Sequence, residues 1–382
     1  MGNSLDKVIP RLLAQGLLAL RGACVMPRLV NSDYSALAAQ KGSTIDVPIP
    51  SAIQAQAVSP GATPPSTTDI GPTMAQIPLD QWYEAPFYLT DNDFLQVMNG
   101  TIPMQASEAV KAIANNVNSF LLNLGRKFYG YVGTAGTTPF ASDTTAATTI
   151  RKVLNKQLAP KGDRRLVLDV DAEANALALP AFQYVNQGGN DKVMVEGDLG
   201  RRFGFDVVSD EEVASHTAGT ITTGLAAKAS TAQAAGLTSI VCTTAASTGA
   251  CALKEGDVIL FAGDTQTYVL TADAAQAAAA TDVTLAIYPP KQVALVGGEA
   301  VTVKASHVMN LAFHRDAIAF ATRPLIDSAE GLGNLIQSAV DPQSGLTLRL
   351  EVSREHKRTR FSYDILYGAN VVRRELGARL AG

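Results

Sequence analysis

The stretch PMQASEAVKAIANNVNSFLLNLGRKFYGY, residues 103–131, decides how this chain is read. Its apolar side chains fall at Ala106, Val110, Ile113, Val117, Phe120, Leu124 and Phe128, in steps of three and four. That spacing places them on one face of an α-helix. Gln105, Glu108, Lys111, Asn115, Asn118 and Lys127 take the opposite face, so one stripe is buried. Pro103 suits a first helical turn, and Gly130 and Gly133 suit a stop. At ~1.5 Å per residue the element would run for about 40 Å. A one-striped helix of that length fits a thin layer better than the interior of a globule.

Upstream, residues 1–40 read as an arm, with Leu12, Leu13, Leu17 and Leu20 on a helical stripe and a break at Pro27. Residues 41–90 read as a long two-stranded excursion. Ile45, Val47 and Ile49 alternate, while Pro48 and Pro50 restrict this strand to an edge. The Pro-, Ser- and Thr-rich residues 59–68 form its tip, and the chain returns through Ile77, Leu79 and the aromatics Trp82, Tyr83, Phe87 and Tyr88. Such a hairpin is marginal alone and needs a neighbouring surface.

Downstream, residues 136–213 read as mixed α/β: a helix over 144–158, a strand over 165–170, a helix from Ala172 and a strand over 203–208. The composition then shifts. No arginine lies between Arg202 and Arg315, and the aromatics between Phe205 and Phe313 are Phe261, Tyr268 and Tyr288. Residues 214–305 read as an inserted small all-β domain with strands over 257–261, 266–270, 283–287 and 300–303. The alanine-rich residues 274–280 read as a helical turn or a loop. Residues 306–382 return to the parent composition. Leu346, Leu348, Leu350 and Val352 alternate strictly, as do Phe361, Tyr363 and Ile365, so a long antiparallel hairpin is expected with the basic residues 354–358 at its end.

Of the 382 residues, 47% are hydrophobic, 6% aromatic and 17% charged. So few charges and aromatics suit a chain that covers much of its surface with copies of itself. Thirty-one basic residues against thirty-five acidic ones, a formal charge of -4, argue against a nucleic-acid reader. No apolar run is long enough for a membrane span. Leu20-Arg21-Gly22-Ala23-Cys24 is similar to a lipoprotein cleavage box, but Arg21 stands where a small apolar approach is needed. Cys24, Cys242 and Cys251 read as reduced thiols, although the last two could lie on paired strands.

Chemistry-bearing motifs are scarce. Asp169 and Asp171 read as a helix cap rather than metal ligands. Gly130, Gly133 and Gly136 lack a phosphate-binding spacing. His314-Arg315-Asp316 reads as a turn with an ion pair, because adjacent side chains do not converge on one atom. The cations Arg354, Lys357, Arg358 and Arg360 read as a solvated hairpin end or an intersubunit ion-pair strip. No catalytic, cofactor or metal residue is expected, and no pocket where polar side chains converge.

The order of these parts resembles a tailed-bacteriophage major capsid protein of the HK97-type fold. Several stretches are similar to the P22-like coat protein family. They are Ile77-Pro78-Leu79-Asp80-Gln81-Trp82 running into Phe87-Tyr88-Leu89-Thr90-Asp91, Asn310-Leu311-Ala312-Phe313-His314-Arg315-Asp316-Ala317 through Thr322-Arg323-Pro324-Leu325, and Tyr363-Asp364-Ile365-Leu366-Tyr367-Gly368-Ala369.

The resemblance implies an α+β subunit with an N-terminal arm (1–40), an E-loop (41–90), a spine helix of the peripheral P-domain (91–135), a first part of the axial A-domain (136–213), the insertion (214–305) and a closing return (306–382). It implies a self-assembling, non-enzymatic shell of pentamers and hexamers without cofactors. A scaffolding protein and a portal would assist a procapsid in the bacterial cytoplasm. Double-stranded DNA would be enclosed without sequence-specific contacts or a membrane. Ile53, Val58, Pro60, Trp82, Tyr83, Arg354, Lys357 and Arg358 become the candidate intersubunit contacts. Lys41 and Asn370 are possible pieces of an isopeptide crosslink, which the P22-like group is not expected to make. The competing readings are an encapsulin-like nanocompartment, an exported β-rich surface protein anchored at Cys24, and an enzyme.

Overall fold

A computed structural model describes residues 25–34, 44–50, 71–91, 101–184, 192–220, 224–229, 232–243, 251–276, 282–325, 335–341 and 345–382, with a few isolated positions between them. Val58, Lys41 and Cys24 lie outside the described residues.

In chain order the strands β1 (Thr44–Ile49), β2 (Thr73–Pro78) and β3 (Gln81–Thr90) precede helix α1 (Thr101–Asn123). Then come β4 (Gly130–Val132), α2 (Thr145–Lys156), β5 (Arg164–Leu168), α3 (Val170–Ala178), β6 (Arg201–Arg202), β7 (Phe205–Ser209) and β8 (Ser215–His216). The insert supplies β9 (Ala226–Ala227), β10 (Ser239–Thr243), β11 (Cys251–Leu253), β12 (Val258–Phe261), β13 (Thr267–Leu270), β14 (Ala274–Gln276), β15 (Asp282–Tyr288) and β16 (Val301–Val303). The chain closes with β17 (His307–His314), β18 (Ile318–Arg323), β19 (Leu335–Val340), β20 (Thr347–Glu355), β21 (Arg358–Val371) and β22 (Gly377–Ala381). The chain forms two compact units, one from Met1–Arg21, Asn31–Ile113 and Ile318–Val372, the other from Gly22–Val30, Ala114–Ala317 and Arg373–Gly382.

The first unit is built on a five-stranded antiparallel sheet in which β21 pairs with β18, β20 and β3, and β19 pairs with β20. Strict alternation on β20 and β21 does what period two requires. Leu348, Leu350, Phe361, Tyr363 and Ile365 are buried, and the charged residues take the other face. Val110 of α1 approaches the same apolar face, since a Cβ at Gly16 would touch Val110, Leu348 and Tyr363 together. The hairpin of β1 and β2 buries Ile45, Val47, Ile77 and Leu79 against Ala319 and Ala321 of β18. Glycine is required at Gly368, where a Cβ would overlap the Pro78 carbonyl.

The returning strand therefore divides. Residues 73–78 pair with β1, but Gln81–Thr90 leave the excursion and join the sheet edge in register Tyr367↔Gln81 to Arg358↔Thr90. The aromatics expected on the excursion belong to the sheet.

The second unit holds a seven-stranded mixed sheet in the order β4-β22-β17-β5-β7-β6, with β8 beside β17. Both faces of β17 are buried, as expected of a central strand. Ala147, Ile150 and Leu154 turn the apolar stripe of α2 inward beside β4 and β22. Asp169 caps α3 through the amide of Ala172 at 3.3 Å, the role read from sequence.

The long helix ends earlier than its stripe suggests. The α-helix stops at Asn123 and tightens into a 3-10 turn over Leu124–Lys127. Gly125 lies in that turn and lets it approach β17, because a Cβ there would overlap Leu311. The last expected turn becomes β4, which runs parallel to β22.

The insert has its own core of Ile240, Cys242, Ile259, Phe261, Tyr268, Leu285 and Ile287, enclosed by a six-stranded sheet and the pair β11 and β14. All four of the expected strands appear. Residues 274–276 form a strand rather than a turn or loop, because they pair with β11. Cys242 is buried on β10, and Cys251 lies on β11 in the other sheet, so the two strands do not pair. Buried polar groups bind the insert to the main sheet. His216 Nε2 meets Asp257 Oδ1 at 2.8 Å, and Arg379 donates to the carbonyls of Gly256, at 2.8 Å, and Arg126.

Candidate intersubunit surfaces

The exposed face of the first unit is charged. Trp82, Glu84, Pro86 and Tyr88 of β3 alternate to one side, opposite Leu366, Asp364, Ser362 and Arg360 of β21. Asp364 is buried and takes both Arg349, with Nε at 2.8 Å, and the indole N–H of Trp82 at 3.1 Å. Glu84 accepts from Arg360 Nη2 at 2.8 and 2.9 Å and from the Ser362 hydroxyl at 3.0 Å. Arg354 reaches Asp91 at 2.6 Å, a hydrogen bond that pushes the guanidinium above its ordinary range.

The sequence-derived contacts therefore separate. Ile53 and Pro60 are exposed on the excursion, with Ile53 at 74%. Trp82 is 63% exposed on the charged face, whereas Tyr83 turns the other way and stacks on Tyr367 at 6.2 Å. Arg354, Lys357 and Arg358 lie at the turn of the β20–β21 hairpin, where Lys357 takes the left-handed backbone at φ +56°. Arg358 pairs with Glu355 and lies 4.9 Å over the Tyr88 ring. The expected basic patch is largely neutralised by acids of its own chain. The pairs Arg354–Asp91, Arg360–Glu84 and Trp82–Asp364 had no signal in the sequence, because each joins residues more than 250 positions apart.

The second unit contains what the sequence reading did not expect, a recess of about 420 Å3 where polar groups converge. Asn118, Glu173, Asp210 and Glu212 line it. Asn118 accepts from the amide of Met26 at 3.0 Å and donates to Asp210 Oδ2 at 2.7 Å. Glu212 donates its amide to Asp210 Oδ1 at 2.8 Å and accepts the Ser119 hydroxyl. His314 Nδ1 accepts the Asp316 amide at 3.2 Å, and the Asp316 carboxylate lies 3.6 Å from the same nitrogen, in the turn expected there. Among the described residues no group of His, Cys, Asp and Glu side chains is placed to hold a metal ion, and no helix is long and apolar enough to cross a membrane.

The fold, an α+β chain with an all-β insert, is that of HK97-type capsid structures, as its likeness to two solved structures shows. The chain is similar to a structure from Mycobacterium phage Che8, with 13% identity and a TM-score of 0.52 over 94% of this chain and 90% of that one. It is also similar to the capsid structure of the Cyanophage P-SCSP1u, with 11% identity and a TM-score of 0.52 over 94% and 88% of the two chains. No family model and no curated protein sequence matches it.

Proposed function

We propose that this chain is the major capsid protein of a tailed bacteriophage, a structural subunit that closes into an icosahedral shell of pentamers and hexamers around double-stranded DNA. The observation that carries the reading is whole-chain coverage: the likeness to a phage capsid subunit spans 94% of this chain. The distribution of burial supports it. The β1–β2 pair completes its small core with alanines of another strand, and Trp82 remains largely exposed on a sheet face.

On this reading residues 1–40 and the excursion within 41–90 reach neighbouring subunits. The helix within 91–135 and the β20–β21 hairpin form the peripheral domain. Residues 136–213 and the closing strands form the axial domain, and residues 214–305 decorate it. Assembly passes through a procapsid in the host cytoplasm with a scaffolding protein and a portal. Ile53, Val58, Pro60, Trp82, Tyr83, Arg354, Lys357 and Arg358 are the proposed contacts. The near-neutral charge balance lets packaged DNA slide, because each neutralised phosphate would strengthen nonspecific binding.

Velocity sedimentation of the expressed chain, with and without a co-expressed scaffolding protein, tests the proposal. One fast boundary of uniform particles is expected. A boundary at subunit size under both conditions refutes it. Particles purified from a natural source that enclose an enzyme instead of DNA would make the chain a nanocompartment shell.

A further inference from the structure

In the second unit the parallel strands β5 and β7 carry opposite charge at their two ends. At their starting ends lie the exposed Arg151, Lys152, Lys156 and Lys161, from α2 and the loop after it, with Arg201 of β6. The fold gathers these cations. Arg151 donates to the Phe203 carbonyl at 2.9 Å, beside the β6–β7 turn. Arg164 holds the end of α2 through Asn155 Oδ1 at 2.9 Å and the Ala159 carbonyl at 2.7 Å. Asp206 is engaged by both Arg165 and Arg201. Lys152, Lys156 and Lys161 meet no carboxylate among the described residues.

At the finishing ends the sign reverses. Asp171 and Glu173 follow β5, and Asp210, Glu211 and Glu212 follow β7. Glu173, Asp210 and Glu212 line the 420 Å3 recess. Asp210 and Glu212 accept hydrogen bonds from neutral groups only. None of these carboxylates meets a cation among the described residues. A five-residue strand at ~3.3 Å per residue sets the two ends about 15 Å apart, beyond the ~8 Å Debye length of physiological salt. The ends therefore do not neutralise one another within the subunit.

We infer that these ends are the two halves of a head-to-tail contact between copies of this chain, with the cationic end of one subunit seated at the acidic recess of the next. Two different patches joining identical subunits make a heterologous contact, which closes into a ring when the rotation allows. This is the contact a capsomer needs, and the inference rests on the capsid reading. Nucleic-acid phosphate could also meet the cationic end, but it would leave the acidic end and its recess without a partner. A second copy satisfies both.

Charge reversal tests the contact. Lys152→Glu, Lys156→Glu and Lys161→Glu together reverse the cationic end. Asp171→Lys, Glu173→Lys and Glu211→Lys together reverse the acidic end. Each set is expected to weaken self-association at least about a hundredfold at ~0.1 M salt, since like charges then face one another. A chain carrying both sets regains complementarity and is expected to recover association, which also shows that the substituted chains fold. Association of the unvaried chain is expected to weaken as salt rises.

Unchanged association in either single set, or no recovery in the combined chain, overturns the contact. So does a cationic-end set that associates normally and loses only DNA binding, because that assigns the end to phosphate. Salt-sensitive oligomers of the unvaried chain that never close into shells would support the contact and contradict the capsid reading. The absence of any self-association contradicts both.

Discussion

The inserted β domain and the β1–β2 pair are both β-rich, yet they are stabilised differently. The insert encloses Phe261, Tyr268, Leu285 and Ile287 in a core of its own. It even buries Lys291, which pairs with Asp264 at 2.5 Å and lies 4.9 Å over the Phe261 ring. The hairpin buries Ile45, Val47, Ile77 and Leu79 and completes that small core with Ala319 and Ala321 of another strand. The insert encloses an apolar cluster of its own, whereas the hairpin borrows part of its burial from another strand. An element that borrows burial is suited to reaching for further surface.

The largest effect that would break this contrast is expected inside the insert. Phe261→Ala removes a fully buried ring and should cost about 3–5 kcal/mol, measured by denaturant unfolding of the insert's tyrosine signal. A cost below about 1 kcal/mol would mean that the insert does not depend on its own core. Val117→Pro should cost about 3 kcal/mol or more by interrupting α1, read as loss of folded protein and helical circular dichroism.

Acid should destabilise the fold at His307, which begins β17 and packs its ring 5.7 Å from that of His216. Burial lowers the His307 pKa to about 4, opposed by the hydrogen bond to the Ala305 carbonyl, aided by Arg379 and His216, and opposed weakly by Asp257. The unfolded imidazole titrates near ~6.5. Its folded pKa is depressed, so the unfolded chain binds the extra proton. The contribution is fully present above about 6.5 and is lost as pH falls toward about 4, up to about 3 kcal/mol in all. Unfolding measured across that window should show the loss, and His307→Asn should flatten it.

Trp82→Phe is a smaller change. It removes the indole hydrogen bond to Asp364 and should cost about 1 kcal/mol in subunit stability. The smallest effect on folding is expected from deleting residues 59–68, where thermal unfolding should barely move while shell assembly fails. Normal particles from that deletion would remove the excursion's proposed role.

The legible parts of the sequence were those with a strong period. Leu346 through Val352 and Phe361 through Ile365 declared the β20–β21 hairpin, and the three-four stripe declared α1. The close approach at the end of α1 was not legible, because it brings Gly125 to Leu311, far away in the chain. Strands β9, β10, β11 and β14 were missed in an Ala-, Thr- and Gly-rich segment, where inward and outward positions differ too little in hydrophobicity. The charged surfaces were harder still. Residues 354–360 looked like an open basic patch until register placed Glu84 and Asp91 beside them. The acidic recess depends on Asn118, Glu173 and Asp210 coming together from three separate segments.

On the proposed function, copies of this chain close into a shell. Cryo-electron microscopy of the purified, assembled protein tests it most directly. Uniform icosahedral particles are expected, with the second unit of each copy arranged in pentameric and hexameric rings. Monomers or irregular aggregates under every assembly condition, including co-expression with a scaffolding protein, would contradict it.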